Sequence, residues 1–265
     1  MRPTLFALGP LLATCALPAL AARELTTDRP DTTESPYTVE PGRLQIEASL
    51  VEFAQDNHNP DHAPVRTGAL NIAPFNLRIG LTPDSDLHIV VETYRQERTL
   101  DRSTGQQAKA NGTGDITLRY KYNFFGNDGG GPALGILPFI KLPTARSGLG
   151  NRSFEGGVIL PVSLELGAGW GLAAMTEVDV VRNAADSGYE YVWVNSASFD
   201  HKLVGDLSSF LELVSEVGPG RPALSFNAGL TYGIGEDLQL DAGTNLGITR
   251  PAEDLRLFVG ITKRF

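Results

Sequence analysis

The four histidines are the side chains best suited to acid–base or metal chemistry, and their settings argue against both. His58 and His62 share a polar stretch with Asp56 and Asp61, a grouping that would hold a metal only loosely. His201 follows Asp200, but successive residues of an extended chain point to opposite faces, so no Ser–His–Asp relay assembles there. Neither a serine-centred elbow nor a pair of histidines at helical zinc spacing occurs, which leaves His88 without a catalytic setting too. The expectation is a protein that is not an enzyme, with no catalytic residue, no metal and no cofactor.

Charges spaced by two carry more information. Glu47, Glu92, Asp115, Arg119, Lys121, Glu165, Glu177, Asp179, Glu212, Asp241 and Arg256 all fall on the polar phase of alternating stretches. Arg78, Lys141, Glu155, Glu190, Asp200, Lys202, Glu216 and Arg264 share that phase. Both signs occur and acids are in excess. Enclosed together, such groups either pair across strands and fill the space, or line a polar conduit whose acidity disfavours anions.

The elements that would position them are strands. In Thr113–Phe124, Ile116, Leu118, Tyr120, Tyr122 and Phe124 alternate with Asp115, Thr117, Arg119, Lys121 and Asn123. A helix would scatter both sets around its circumference, whereas a strand sorts them onto two faces. The same rhythm divides the chain into twelve strands, near 44–54, 65–82, 87–98, 113–125, 133–143, 154–166, 171–183, 189–204, 207–217, 223–235, 238–249 and 255–265. Pro74 predicts a kink or bulge in the second, because proline has no N–H for the ladder.

Loop lengths sort by parity. The segments 55–64, 99–112 and 144–153 are long and polar, while 83–86, 126–132, 167–170 and 205–206 are short. Outer-membrane barrels have short periplasmic turns and longer external loops. Tyr120, Tyr122, Phe124, Tyr189, Tyr191 and Trp193 lie near strand ends, where interfacial girdles would place them. The expected fold is therefore all-β, an antiparallel transmembrane β-barrel of about twelve strands over 43–265. Period two alone also fits a soluble periplasmic β-sandwich, whose apolar faces meet each other rather than lipid.

Export is written at the front. Arg2, the apolar Leu5–Leu20 and the small-residue site Ala19-Leu20-Ala21 read as a signal peptide over 1–21, cleaved after Ala21. The only cysteine, Cys15, falls inside it, so the exported chain expects no disulfide. A formal net charge of -9 excludes nucleic acid as a partner, since its phosphates require a basic footprint.

Residues 22–42 form neither strand nor helix, because their prolines fix extended geometry. They contain Asp28-Arg29-Pro30-Asp31, Thr33-Glu34-Ser35-Pro36, Thr38-Val39 and Pro41-Gly42, followed by Gln45 and Glu47. This run resembles the opening of the meta-pathway of phenol degradation family, transporter-like outer-membrane proteins. The resemblance implies a barrel, associated in some members with the uptake of aromatic compounds. Two roles stay open for the segment: a cap on the periplasmic mouth, or a plug in the lumen whose Asp28, Arg29, Asp31 and Glu34 pair with wall charges.

The chain ends in Phe265 after Leu257, Val259 and Ile261 on one face, with Gly260 between. That ending is similar to the assembly signal of bacterial outer-membrane proteins, although Lys263 stands where an apolar residue is expected. The partners implied are outer-membrane lipid, the barrel assembly machinery and a small-molecule solute. The functional expectation is a channel for passive passage of small compounds, hydrophobic or aromatic ones included. The alternative is a structural or adhesion barrel that presents its loops.

Overall fold

The computed structural model describes residues 23–58, 63–146, 148–183, 185–220 and 222–265. The expected signal peptide, with Cys15, and the pair Asp61 and His62 lie outside the described residues. Fifteen strand segments follow in order: β1 Leu44–Asp56, β2 Val65–Ile72, β3 Phe75–Thr82, β4 Ser85–Val91, β5 Tyr94–Asp101, β6 Gln107–Gly112, β7 Ile116–Phe125, β8 Ala133–Leu142, β9 Glu155–Gly167, β10 Trp170–Arg182, β11 Tyr189–Val204, β12 Leu207–Val217, β13 Ala223–Gly233, β14 Leu238–Gly247 and β15 Leu255–Arg264. Three passes are each broken in two (β2 with β3, β4 with β5, β6 with β7), so the fifteen segments make twelve passes.

Every pairing is antiparallel between neighbours, and β1 pairs with β15 from Gln45↔Arg264 to Gln55↔Leu255. That last ladder closes the sheet into a barrel and leaves β6, which pairs with β5 alone, as a free edge. A sandwich of two packed sheets is thereby excluded.

The first break lies where proline predicted it. Ala73 takes φ 52 ahead of Pro74, and β1 answers with a bulge between Ser49 and Val51. Ser49 N donates to Pro74 O at 3.0 Å across the break. The extra residue shifts the phase of β1, so Gln45, Glu47 and Ser49 face inward below it and Ala54 above it.

One expectation fails. Residues 99–112 are not a long loop but most of the β5–β6 hairpin, closed by the turn 102–106. Its outward residues Arg98, Gln107, Lys109 and Asn111 are polar, so no apolar alternation marks it. Residues Gln55 and Asp56 likewise belong to β1.

Burial is inverted relative to a soluble protein. Arg78, Asp86, His88 and Lys121 are fully buried, while Tyr191 is 66% exposed and Val204 72%. A closed polar interior and an apolar exterior are what lipid on the outside requires. Tyr120, Tyr122, Phe124, Tyr189, Tyr191 and Trp193 all point outward and are exposed. Among the described residues, no helix is long and apolar enough to cross a membrane.

Candidate functional site: the occupied lumen

Residues 23–41 run inside the barrel, held by side chains from strands all around it. The densest cluster centres on Asp28. Its carboxylate meets Lys121 Nζ at 2.5 Å and Arg78 Nη1 at 3.2 Å, and its N–H donates to Glu47 Oε2 at 3.1 Å. Arg78 also reaches Glu47 at 2.9 Å and Asp86 at 2.9 Å, and His88 Nε2 lies 2.9 Å from the other Asp86 oxygen. Two strong bases thus face three carboxylates in a dry volume. Removing any one member would leave a buried charge uncompensated.

Arg29 turns to the adjoining wall of β1, β15 and β14, where its guanidinium meets Asp241 at 2.8 Å, donates to Ser49 Oγ at 2.6 Å and lies over the Phe258 ring. Glu212 accepts from the backbone N–H groups of Thr32 at 2.9 Å and Thr33 at 2.7 Å, and from Asn227 Nδ2 at 2.6 Å. Asp31, half-buried, sits beside Ser198 and Glu212. Glu34 pairs with Arg119, which lies over the Phe139 ring, and Glu34 N–H points at Met175 Sδ, 3.3 Å away. Further along, Asn123 donates to Pro36 O at 2.9 Å, and Val39 N–H donates to Asp86 at 2.9 Å. Pro41 and Gly42, the latter at φ 79, make the turn into β1.

The wall is cut to receive this segment. A Cβ at Gly80 would lie 1.9 Å from Glu40 O, and one at Gly260 would lie 2.1 Å from Arg29 Nη2. Glycine at both positions allows the close approach.

Chambers remain on either side. The outer one, about 570 Å³, is lined by Glu92, Arg95, Asp115, Arg119 and Lys141 among others. There Lys141 pairs with Asp115 at 3.4 Å and with Glu155. The opposite one, about 450 Å³, is lined by Arg23, Lys202, Asp206 and Gln239 among others. Between them the β8–β11 wall is apolar: Leu137, Ile159 and Met175 form a buried cluster with Phe139 and Val194 against it.

The charges read from the sequence therefore divide. Glu47, Arg119, Lys121, Glu212 and Asp241 meet the inner segment. Glu92 and Asp115 line the outer chamber, and Arg256 pairs with Glu253 at 2.9 Å and Glu52 at 3.7 Å. Glu177 and Asp179 are half-buried on the inward phase of β10. Glu165 sits exposed at the turn end of the barrel, where it accepts from Gly130 N–H at 2.7 Å. Phe265 faces outward, 60% exposed, with the Lys263 ammonium over its ring.

Sequence reasoning missed Asp86 by starting that strand at 87, left His88 out of the inward set although it shares the phase of Glu92, and missed Glu52 by not shifting phase at the bulge. The apolar pair Leu50 and Val51 was the available signal. His201 stacks on Trp170, ring centroids 4.0 Å apart, and no serine is among its hydrogen-bond partners. His58 lies 2.9 Å from Asp254 in the neighbouring loop rather than free in solvent.

The family model "Putative MetA-pathway of phenol degradation" matches residues 27–265. The chain belongs to this family. The matched span takes in the inner segment from Thr27 as well as the barrel. No curated protein matches the chain in sequence. Solved structures similar to it include the β-domain of the Bordetella autotransporter BrkA, at 12% identity and TM-score 0.54, covering 85% of this chain and 100% of that one. The NanC porin is similar at 7% identity and TM-score 0.51, over 83% and 98% of the two chains. The KdgM porin is similar at 11% identity and TM-score 0.50, over 83% and 99%. At these identities the likeness establishes the barrel fold.

Proposed function

We propose that this family member is a passive outer-membrane channel for small compounds, closed at rest by its own residues 23–41. The observation that carries the reading is a polar lumen with a chamber at each side of an inner segment held only by non-covalent contacts. The exposed aromatic exterior supports placement in the outer membrane, with lipid around it. Twelve strands give a lumen wider than the side-chain-filled eight-stranded barrels and narrower than open porins.

The two walls favour different solutes. On one side Glu47, Asp86, Glu212 and Asp241 outnumber Arg78 and Lys121, while Leu137, Ile159, Met175 and Phe139 make the other apolar. Neutral compounds with an apolar or aromatic face suit such a passage, and small anions do not. Passage alone needs no catalytic group.

Planar-bilayer conductance and liposome flux test the reading. The intact chain should conduct weakly and pass neutral aromatic solutes faster than anions of equal size. Deleting 23–41 should raise conductance severalfold. A barrel that is silent with and without the segment, and passes no solute, overturns the proposal.

A further inference from the structure

The outward face of the β1–β2–β5–β6 sheet changes character with height. Strand registers lay it out in rows. Val51, Ile72 and Tyr94 form the lowest, followed by Phe53, Leu70 and Gln96. Next come Gln55, Gly68, Arg98 and Lys109, then Arg66, Leu100 and Gln107. Apolar rows give way to cationic ones within two steps, each of about 6–7 Å.

A groove of about 620 Å³ lies on this face. Phe53, Leu70 and Leu100 give it apolar walls, and Arg66, Arg98 and Lys109 surround it above. Gly68 leaves its floor open, since a Cβ there would meet only the backbone oxygen of Ala54, at 3.6 Å. The other polar outward positions, Gln55, Gln96, Gln107 and Asn111, are amides. Three cations with no acid among them stand out in a chain of net charge -9. Arg66 donates to the neutral Gln55, and among the described residues neither Arg98 nor Lys109 has an acidic partner within ion-pair distance.

Height fixes what meets this groove. The β4–β5 pass begins at Ser85, and about 9–11 tilted residues suffice to cross hydrocarbon. Tyr94 thus lies near the interface and Arg98 at the level of outer-leaflet headgroups. Acyl chains would lie along Phe53 and Leu70, with anionic oxygens among Arg66, Arg98 and Lys109. We infer that this groove binds a phosphate-bearing acyl lipid of the outer leaflet. The inference rests on the membrane orientation proposed above.

Native mass spectrometry of the refolded full barrel in detergent tests it, with bisphosphorylated lipid A as probe. The wild type should retain one equivalent. The variant Arg66→Gln/Arg98→Gln/Lys109→Gln should bind at least tenfold more weakly, as should lipid A stripped of both phosphates against the wild type. Arg250→Gln, an exposed change outside the groove, should bind as wild type, and millimolar inorganic phosphate should not compete. Equal binding by the triple variant or by the stripped lipid overturns the inference. So does an equal loss in Arg250→Gln, which would mark a net-charge effect, or displacement by free phosphate, which would mark an ion site. A heat-dependent gel shift shows that each variant is folded. Lost lipid binding in a barrel that still conducts strikes this inference alone, whereas a chain that forms no barrel strikes the reading beneath it.

Discussion

The guanidinium of Arg29 meets the carboxylate of Asp241 at 2.8 Å across 212 residues of sequence. Gly260, the residue beside them on β15, has no side chain to come between. A Cβ there would lie 2.1 Å from Arg29 Nη2 and 2.7 Å from Asp241 Oδ1. A glycine of the last strand therefore makes room for an ion pair that seats the inner segment.

Gly260→Ala should loosen that seat, because the atoms it displaces are the ends of side chains. Gly80→Ala should do more, since its Cβ would meet the Glu40 carbonyl at 1.9 Å and backbone yields less readily. Overpacking of this kind costs roughly 1–3 kcal/mol. A cysteine placed at Ser35 reports the result through its thiol-labelling rate in otherwise identical barrels. The order should be Gly80→Ala fastest, Gly260→Ala next and wild type slowest. Equal rates would refute the argument that these glycines admit the segment.

Glu212 offers a sharper probe. It accepts two backbone N–H groups of the segment, from Thr32 and Thr33, and the Thr33 hydroxyl at 2.6 Å. Glu212→Ala leaves those donors unpaired, at about 1–3 kcal/mol for each buried group. Labelling at the same Ser35→Cys position should accelerate at least tenfold in Glu212→Ala and less in Glu212→Gln, which keeps one acceptor. Matching rates for the two variants would show that shape, not acceptance, holds the loop.

Much of this was legible in advance, and the reasons are local. From Ile116 to Phe124 each residue sits on the face that alternation assigns it, because the two sides of a barrel wall sort side chains as strictly as water and core do. Pro74 announced its break for want of an N–H. Legibility ended where neighbours in space are far apart in sequence. Arg29 and Asp241 carry nothing in their local context that pairs them, so a cap and a plug read alike. It also ended where a face changes role: Leu137 and Met175 are apolar on the inward phase, and the β5–β6 hairpin lacks apolar alternation.

Asp28→Asn removes a charge that compensates both Arg78 and Lys121, all three groups being almost wholly buried. Breaking one partner of such a cluster costs on the order of 3 kcal/mol. Urea unfolding of the barrel in detergent should show a lower midpoint at unchanged slope. Adding Lys121→Met should restore part of the loss, because the double variant no longer buries an unpaired ammonium. A double variant less stable than the sum of the two single losses would contradict the pairing.

Acid should free one loop at the rim of the barrel. Asp254 closes the loop between β14 and β15, outside the spanning strands. Burial works to raise its carboxyl, but hydrogen bonds from Asn57 N at 2.8 Å, from His58 and from Asn57 Nδ2 at 3.2 Å outweigh that and hold it below its ordinary 3.8. A carboxyl depressed on folding contributes stability above its unfolded pKa and loses that contribution as pH falls through the folded one. The tether between the 248–254 loop and the segment after β1 should thus hold above about pH 4 and slacken below it. A spin label on Arg250→Cys should be restricted at pH 7 and mobile near pH 3, reversibly, while the barrel keeps its heat-dependent gel shift. With Asp254→Asn added, the label should be mobile at both values. A label restricted throughout in that variant would mean that something other than the carboxylate pins the loop.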